Sequence, residues 1–350
     1  MQTEHVVNVA DAREAIADLD TDAIDLVVTS PPYPMVEMWD ESFAAQDAAI
    51  GAALDDGAGE RAFELMHDLL DDVWVELPRV VRPGGIVAVN VGPATRNLGS
   101  FQQYPNHEAI TRRLRGHGFQ SLPNVLWRKP TNSAAKFMGS GMLPTNAYPT
   151  LEHEHVLLFR NGGTRSFPAG DDRRYESAYF WEERNEWFSD LWKLTGERQD
   201  LSDEAAAARE RSGAFPLDIP LRLVLMFSVY GDTVLDPFWG TGTTSLAALV
   251  SGRSSVGIER DADLVAAFDE RVTDAPALSA SLARERLADH REFVAGRREQ
   301  GDEPKYRAEH YDFAVVTKQE RRVRLYETTS VSRETATNGQ RRYVADHEPV

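Results

Sequence analysis

The stretch "VLDPFWGTGTTSLAAL" (residues 234–249) carries the fold. An apolar run, Thr233–Leu235, reads as a buried strand and ends in Asp236. The glycine-bearing turn through Phe238, Gly240 and Gly242 follows, and a helix opens near Thr243. A strand that hands over to a helix through glycines is the first βα turn of a nucleotide-binding fold, where a missing Cβ lets backbone approach a ligand. The residue where a third glycine would fall is Ser245, so the dinucleotide pattern is incomplete; no lysine follows the glycines, so it is not a phosphate-binding P-loop. Farther on, "SSVGIE" (residues 254–259) reads as another strand ending in Glu259, placed to accept from two ribose hydroxyls. Acids at two strand ends suit a nucleoside carrying a cation, such as S-adenosylmethionine. The alternative is a tight structural turn with Glu259 as a surface acid.

The strand "AIDLVVTS" (residues 23–30) ends unusually, in "TSPPYP" (residues 29–34). Two adjacent prolines fix two φ angles and remove two donors. Ser30, Pro31, Pro32 and Tyr33 form a stiff edge of hydroxyl, carbonyl and ring. Around these stretches the chain alternates in an α/β rhythm. Strands are expected at 5–10, 86–92, 121–130 and 154–163, and helices at 11–19, 60–81 and 106–119. Residues 34–60 read as a loop. Residues 131–150 and 164–213 break the rhythm, and "RRYESAYFWEERNEWFSDLW" (residues 173–192) packs seven aromatics into twenty residues, the mark of an insertion. The rhythm returns from 214. Two helical stretches follow residue 260, and the tail (302–350) reads as a strand-like segment, "YDFAVVTKQERRVRLYE", and a polar, loose end.

Composition excludes several classes. With 350 residues and 42% hydrophobic content the chain can build a large core. There is no apolar run long enough to span a bilayer and no signal-peptide layout. There is no cysteine, hence no disulfide or thiolate metal site. A soluble cytoplasmic protein is expected. The net charge is -18, and only five residues are lysine. That balance suits a high-salt cytoplasm, so a halophilic source is expected. At molar salt, net charge does not exclude nucleic acid, whose binding then leans on stacking, shape and base contacts.

Together these motifs resemble the amino-group DNA methyltransferases. "SPPY" is similar to their catalytic motif and "DPFWGTGTT" to their cofactor motif, with Thr241 in the place of the usual serine and Trp239 bulkier than usual. The order, catalytic motif before cofactor motif, resembles the β class. "RVVRPGGIVAVNVG" (79–92), "VLWRKP" (125–130), "EHEHVLLFRNGG" (152–163) and "FPLDIPLRLVLMFS" (215–228) extend the likeness over residues 8–265. It implies a Rossmann-like S-adenosylmethionine-dependent fold with permuted motifs and an inserted target-recognition region. The divisions expected are a catalytic half (1–130), the insertion (131–213, with core strand 154–160), a cofactor half (214–275) and an extension (276–350) without an assigned role. The resemblance implies that Ser30 Oγ and the Pro31 carbonyl accept from an exocyclic amino group, with the base flipped onto Tyr33. It implies cofactor contacts from Asp11, Asp236, Phe238, Gly240, Gly242, Thr243 and Glu259. Asp11 also reads as a helix N-cap.

In the family, Ser-Pro-Pro-Tyr accompanies cytosine N4 methylation most often, so that reaction is expected; the alternatives are adenine N6 and a non-catalytic DNA-binding relative. Double-stranded DNA is the expected partner, with Arg173, Arg174, Arg184, Lys193 and Arg198 as candidate contacts to phosphates or guanine edges. The insertion's aromatics read mostly as a small core. "HEH" (153–155) lacks an evident third ligand, so no metal is expected. Similar haloarchaeal enzymes are often solitary modification methylases of short palindromes such as CTAG. A restriction endonuclease would be a separate chain, and the protein a monomer or homodimer.

Overall fold

The computed structural model describes residues 1–129, 138–194, 215–334 and 340–350. The strands along its main sheet are β1 (Gln2–Val9), β2 (Ile24–Thr29), β3 (Val81–Val91), β4 (Val125–Arg128), β5 (His153–Arg160), β6 (Leu191–Trp192), β7 (Thr233–Asp236), β8 (Ser254–Glu259), β9 (Tyr326–Glu334) and β10 (Gln340–Pro349). They join one sheet in the order β6-β4-β5-β3-β2-β7-β8-β1-β10-β9, with Gln120–Ser121 paired beside β5. The centre, β3-β2-β7-β8-β1, is parallel throughout. All six residues of β2 are buried, as strands covered on both faces must be.

One face is covered by α1 (Gly59–Trp74) and α2 (Asn106–Gly116), whose apolar stripes bury Phe63, Met66, Leu70, Trp74 and Ile110. Residues 40–44 and 48–55 are helical, not the loop expected. Phe43, Ile50 and Ala53 point into the same core, and Asp47 caps the second of these helices through Ala49 N–H. The alanine-rich composition reads as a loop, but its apolar residues recur at helical spacing. The other face is covered by α4 (Asp218–Phe227), α5 (Thr243–Val250), α6 (Ala262–Thr273) and the start of α7 (Ala275–Glu299).

The C-terminal tail is not loose. β10 pairs antiparallel with β1 from Gln2↔Asp346 to Asn8↔Gln340, and β9 continues the sheet. Tyr343, Ala345 and His347 alternate inward and are buried. The stretch 311–327 is also not one strand. It holds a two-residue strand at Ala314–Val315 and a 3₁₀ turn at Gln319–Arg322 before β9 starts. Phe313, Val315, Val323 and Leu325 pack with Ala283 and Leu287 of α7 around Phe180, just before α3 (Trp181–Trp187). The extension and the aromatic insertion therefore complete one small core. His290 Nδ1 meets Glu182 at 2.8 Å, and Arg286 pairs with Glu183 at 2.5 Å. Among the described residues no helix is long and apolar enough to cross a membrane.

At the sheet centre, Thr29 donates to Asp236 Oδ1 at 2.6 Å, joining β2 to β7 at their carboxyl ends; Phe238 N–H donates to the same oxygen at 3.1 Å. Burial pushes the Asp236 carboxyl up to about 6, against those hydrogen bonds. An acid whose folded pKa lies above its unfolded value holds more protons when folded, here between pH 3.8 and about 6. Stability therefore falls as pH rises through that window and stays lower above it. Asp236→Asn keeps the accepting oxygen and removes the buried charge. In urea unfolding it is expected to stabilise the free protein at pH 8 by up to about 3 kcal/mol, a gain that vanishes below about pH 4. Equal or lower stability of the variant at pH 8 would show that the charge is already compensated.

Candidate active site

The parallel strands all deliver chain to the same edge of the sheet. β1 hands over to Asp11, β2 to Ser30, β7 to the 236–242 turn, and β8 ends at Glu259, which faces Val9 across the ladder. A cavity of about 260 Å³ opens there, with Asp11, Ser30, Pro32, Phe238, Gly240 and Glu259 on its walls. Groups from both ends of the sequence thus meet in one pocket.

Each cavity acid is held by backbone. Glu259 accepts from Gly240 N–H at 2.8 Å and Asp261 N–H at 2.9 Å, so it fixes the glycine turn as well as facing the cavity. Burial raises its pKa. Asp11 caps its helix through Arg13 N–H at 3.0 Å and is gripped by the Arg13 guanidinium at 3.0 and 2.9 Å, which holds its carboxyl below the usual range. The capping role is present, and the residue also lines the pocket. Phe238 meets Trp74 edge-on and completes the apolar wall.

The two motif glycines differ. Gly240 (φ 57°) lines the cavity. Gly242 (φ 77°) does not: a Cβ there would lie 2.5 Å from Trp239 and 2.6 Å from Phe268, so packing rather than ligand approach demands glycine. Thr243 is buried away from the cavity, where Arg271 donates to its hydroxyl at 3.2 Å. Trp239 explains Ser245, since the indole N–H donates to the Ser245 hydroxyl at 2.8 Å.

The Ser-Pro-Pro-Tyr loop is pinned from below. Asn106 donates to the Pro34 carbonyl at 3.1 Å and to Gly92 at 3.0 Å, and it accepts from His67 at 3.0 Å. Met35 takes a left-handed φ of 68°, turning the chain away after the motif. The Tyr33 hydroxyl lies 3.2 Å from Ser30 Oγ and donates to Glu154 Oε2 at 2.9 Å; Asn90 Nδ2 reaches Tyr33 at 3.0 Å and Glu154 at 2.6 Å. Lys129 closes the cluster on Glu154. Burial and the Glu154 charge push the Tyr33 phenol well up, so it keeps its proton. Sequence reading missed Asn90, Asn106, Lys129 and Glu154. The available signal was a polar residue inside an apolar strand run, as in "IVAVNVG" and "EHEHVLLF".

The basic candidates do not converge on this edge. A Cβ on Gly231, before β7 begins, would lie 3.8 Å from Arg173. Arg174 and Arg184 share a second cavity with Asp25 and Arg165. Asp25 lies at the start of β2, five residues before Ser30, about 16 Å along the strand. These three arginines therefore flank the amino ends of the strands, where the half-buried Arg165 pairs with Asp232 and Asp25 at 2.5 and 3.1 Å. Lys193 is exposed and follows β6, whose Trp192 pairs with Trp127 near Lys129, on the active-site edge. Arg198 lies outside the described residues. His153 and His155 do share a face, and His155 stacks on His107 at 4.0 Å, ring plane to ring plane rather than nitrogen to nitrogen.

The DNA methylase family N6_N4_Mtase matches residues 24–270. The chain is 47% identical over 334 residues to type II methyltransferase M.MthZI of Methanothermobacter thermautotrophicus, covering 93% of this chain and 91% of that protein. It is 43% identical over 282 residues to type II methyltransferase M.MjaI of Methanocaldococcus jannaschii, covering 77% and 91%. Among solved structures it is similar to TTHA0409, a putative DNA modification methylase of Thermus thermophilus in complex with S-adenosyl-L-methionine, with a TM-score of 0.60, 31% identity and coverage of 77% and 95%. The PvuII DNA methyltransferase (cytosine-N4-specific) shares the fold at a TM-score of 0.54 and 17% identity, covering 77% and 90%. With its motifs gathered at one sheet edge, and likeness of this extent on both sides of them, the chain belongs to the N6/N4 DNA methylase family.

Proposed function

We propose that this DNA methyltransferase acts on the exocyclic N4 of cytosine in a short double-stranded target, with the base flipped out of the helix. The observation that carries the proposal is Ser30 on the cavity wall, on a loop stiffened by Pro31 and Pro32 and tied down through Asn106. S-adenosylmethionine supplies an electrophilic methyl group on a sulfonium centre. The cavity fits it: Glu259 has lone pairs left for ribose hydroxyls, Phe238 offers an apolar wall, Gly240 admits close backbone, and the acids favour a cation.

An exocyclic amino group is a poor nucleophile because its lone pair is delocalised into the ring. Ser30 Oγ and the Pro31 carbonyl would each accept one of its N–H bonds. The nitrogen then pyramidalises and its lone pair turns toward the cofactor. These acceptors are set before the reaction, where positive charge develops. As the new N–C bond forms, the old C–S pair stays with sulfur, and the nitrogen releases one proton to Ser30 or to water. The Tyr33 ring supplies the stacking surface. DNA would lie across the edge bearing Lys129 and Lys193. Any restriction endonuclease would be a separate chain.

Ser30→Ala is expected to retain cofactor binding and lower turnover by about a hundredfold to a thousandfold. Single-molecule sequencing of DNA treated with the protein and S-adenosylmethionine at high salt should find N4-methylcytosine at one recurrent short site. N6-methyladenine there would reassign the base and keep the mechanism.

Arg173→Glu with Arg174→Glu tests the DNA face. Their place at the amino ends predicts methylation of plasmid DNA within about twofold of wild type, whereas a steep loss would put DNA on that face.

A further inference from the structure

Behind Ser30 lies a polar cluster of Tyr33, Asn90, Glu154 and Lys129. A serine hydroxyl can donate or accept. It helps an amino group only while its own proton is occupied elsewhere. Resting on the proposed function, we infer that Glu154 is a positioning residue: through Tyr33 it engages the Ser30 proton and leaves the Ser30 lone pairs to the target amino group.

The donors and acceptors of the cluster fix this direction. Glu154 is 7% exposed and is paired with Lys129, so its carboxylate is an acceptor only. Asn90 must therefore turn its nitrogen, not its oxygen, to Glu154 Oε2 at 2.6 Å. The same nitrogen reaches the Tyr33 oxygen at 3.0 Å. Tyr33 has one proton, and Glu154 Oε2 at 2.9 Å takes it. What remains on Tyr33 is one lone pair, facing Ser30 Oγ at 3.2 Å, so Ser30 must be the donor there. Gly92 keeps the ring close to the carboxylate, since a Cβ on it would lie 3.2 Å from both Tyr33 Cε2 and Glu154 Cγ.

Glu154→Gln puts an N–H donor into this cluster. Lys129 and Asn90 then compete for the one remaining oxygen, and the Tyr33 proton turns back toward Ser30, occupying a lone pair. The test is a double-mutant cycle on the full chain, using plasmid DNA and tritiated S-adenosylmethionine in single turnover. Glu154→Gln is expected to slow methyl transfer about tenfold to a hundredfold, with DNA and cofactor affinity within about threefold of wild type. Tyr33→Phe, which keeps the ring and removes the hydroxyl, should do the same and serves if Glu154→Gln folds poorly. In a Ser30→Ala background neither change should slow the reaction further. Losses that multiply in that background, or a wild-type rate in Glu154→Gln or Tyr33→Phe beside a slow Ser30→Ala, overturn this inference alone. A wild-type rate for Ser30→Ala overturns the acceptor reading, and this inference with it.

Discussion

The 2.6 Å hydrogen bond from Thr29 to Asp236 joins strands whose bonded residues are 207 positions apart in sequence. Both motif segments hang from that junction. Thr29 is followed at once by Ser30, and Asp236 by the glycine turn. Because β2 and β7 are adjacent and parallel, the two motifs arrive side by side whichever comes first in the chain. Permuting the motif order therefore costs nothing in geometry. Fixing the junction does have a cost, since it leaves a carboxylate in a buried place where its charge is disfavoured. A cationic ligand in the neighbouring cavity would offset that.

What was legible in the sequence is what is encoded locally. The 234–249 stretch and the strand before Ser30 name their own conformations through apolar runs, glycines and prolines, and the structure holds them as read. The tail failed that test because β10 owes its order to β1, a partner more than three hundred residues away. Its alternation of Tyr343, Ala345 and His347 is a half-buried strand pattern, obscured by charged neighbours. Residues 40–55 misled through composition: small acidic helices resemble linkers until their apolar spacing is counted. The arginines are a different case. An insertion advertises its chemistry in sequence but not the end of the sheet on which it lands, and Arg173, Arg174 and Arg184 land at the amino ends.

Departures from the family pattern became readable only with packing in view. Trp239 is large for its position, yet it is buried at 2% exposure. Gly257 on β8 makes the room, since a Cβ there would lie 2.1 Å from the indole. Ser245 takes the indole N–H and is itself tied to Ser255 at 2.9 Å, with His5 beyond at 2.9 Å. An ordinary third glycine would leave that N–H unpaired in the core, a penalty of about 1–3 kcal/mol. The serine that counts against a dinucleotide ligand is thus a consequence of the tryptophan, and the turn is specialised by packing before any ligand is considered.

The same logic of partners extends to the choice of base. Cytosine and adenine present an amino group where thymine and guanine present a carbonyl oxygen. A hydroxyl free to rotate would meet either one, donating to the carbonyl or accepting from the amine. A hydroxyl whose proton is drawn toward Tyr33 can only accept, so a keto base would set oxygen against oxygen. On the proposed function, the chain from Lys129 through Glu154 and Tyr33 to Ser30 therefore bears on rejection as much as on rate. It selects for amines by leaving a carbonyl without a donor, and an unpaired polar group in a closed site is the stronger discriminator. That restriction separates amino from keto bases and does not distinguish cytosine from adenine.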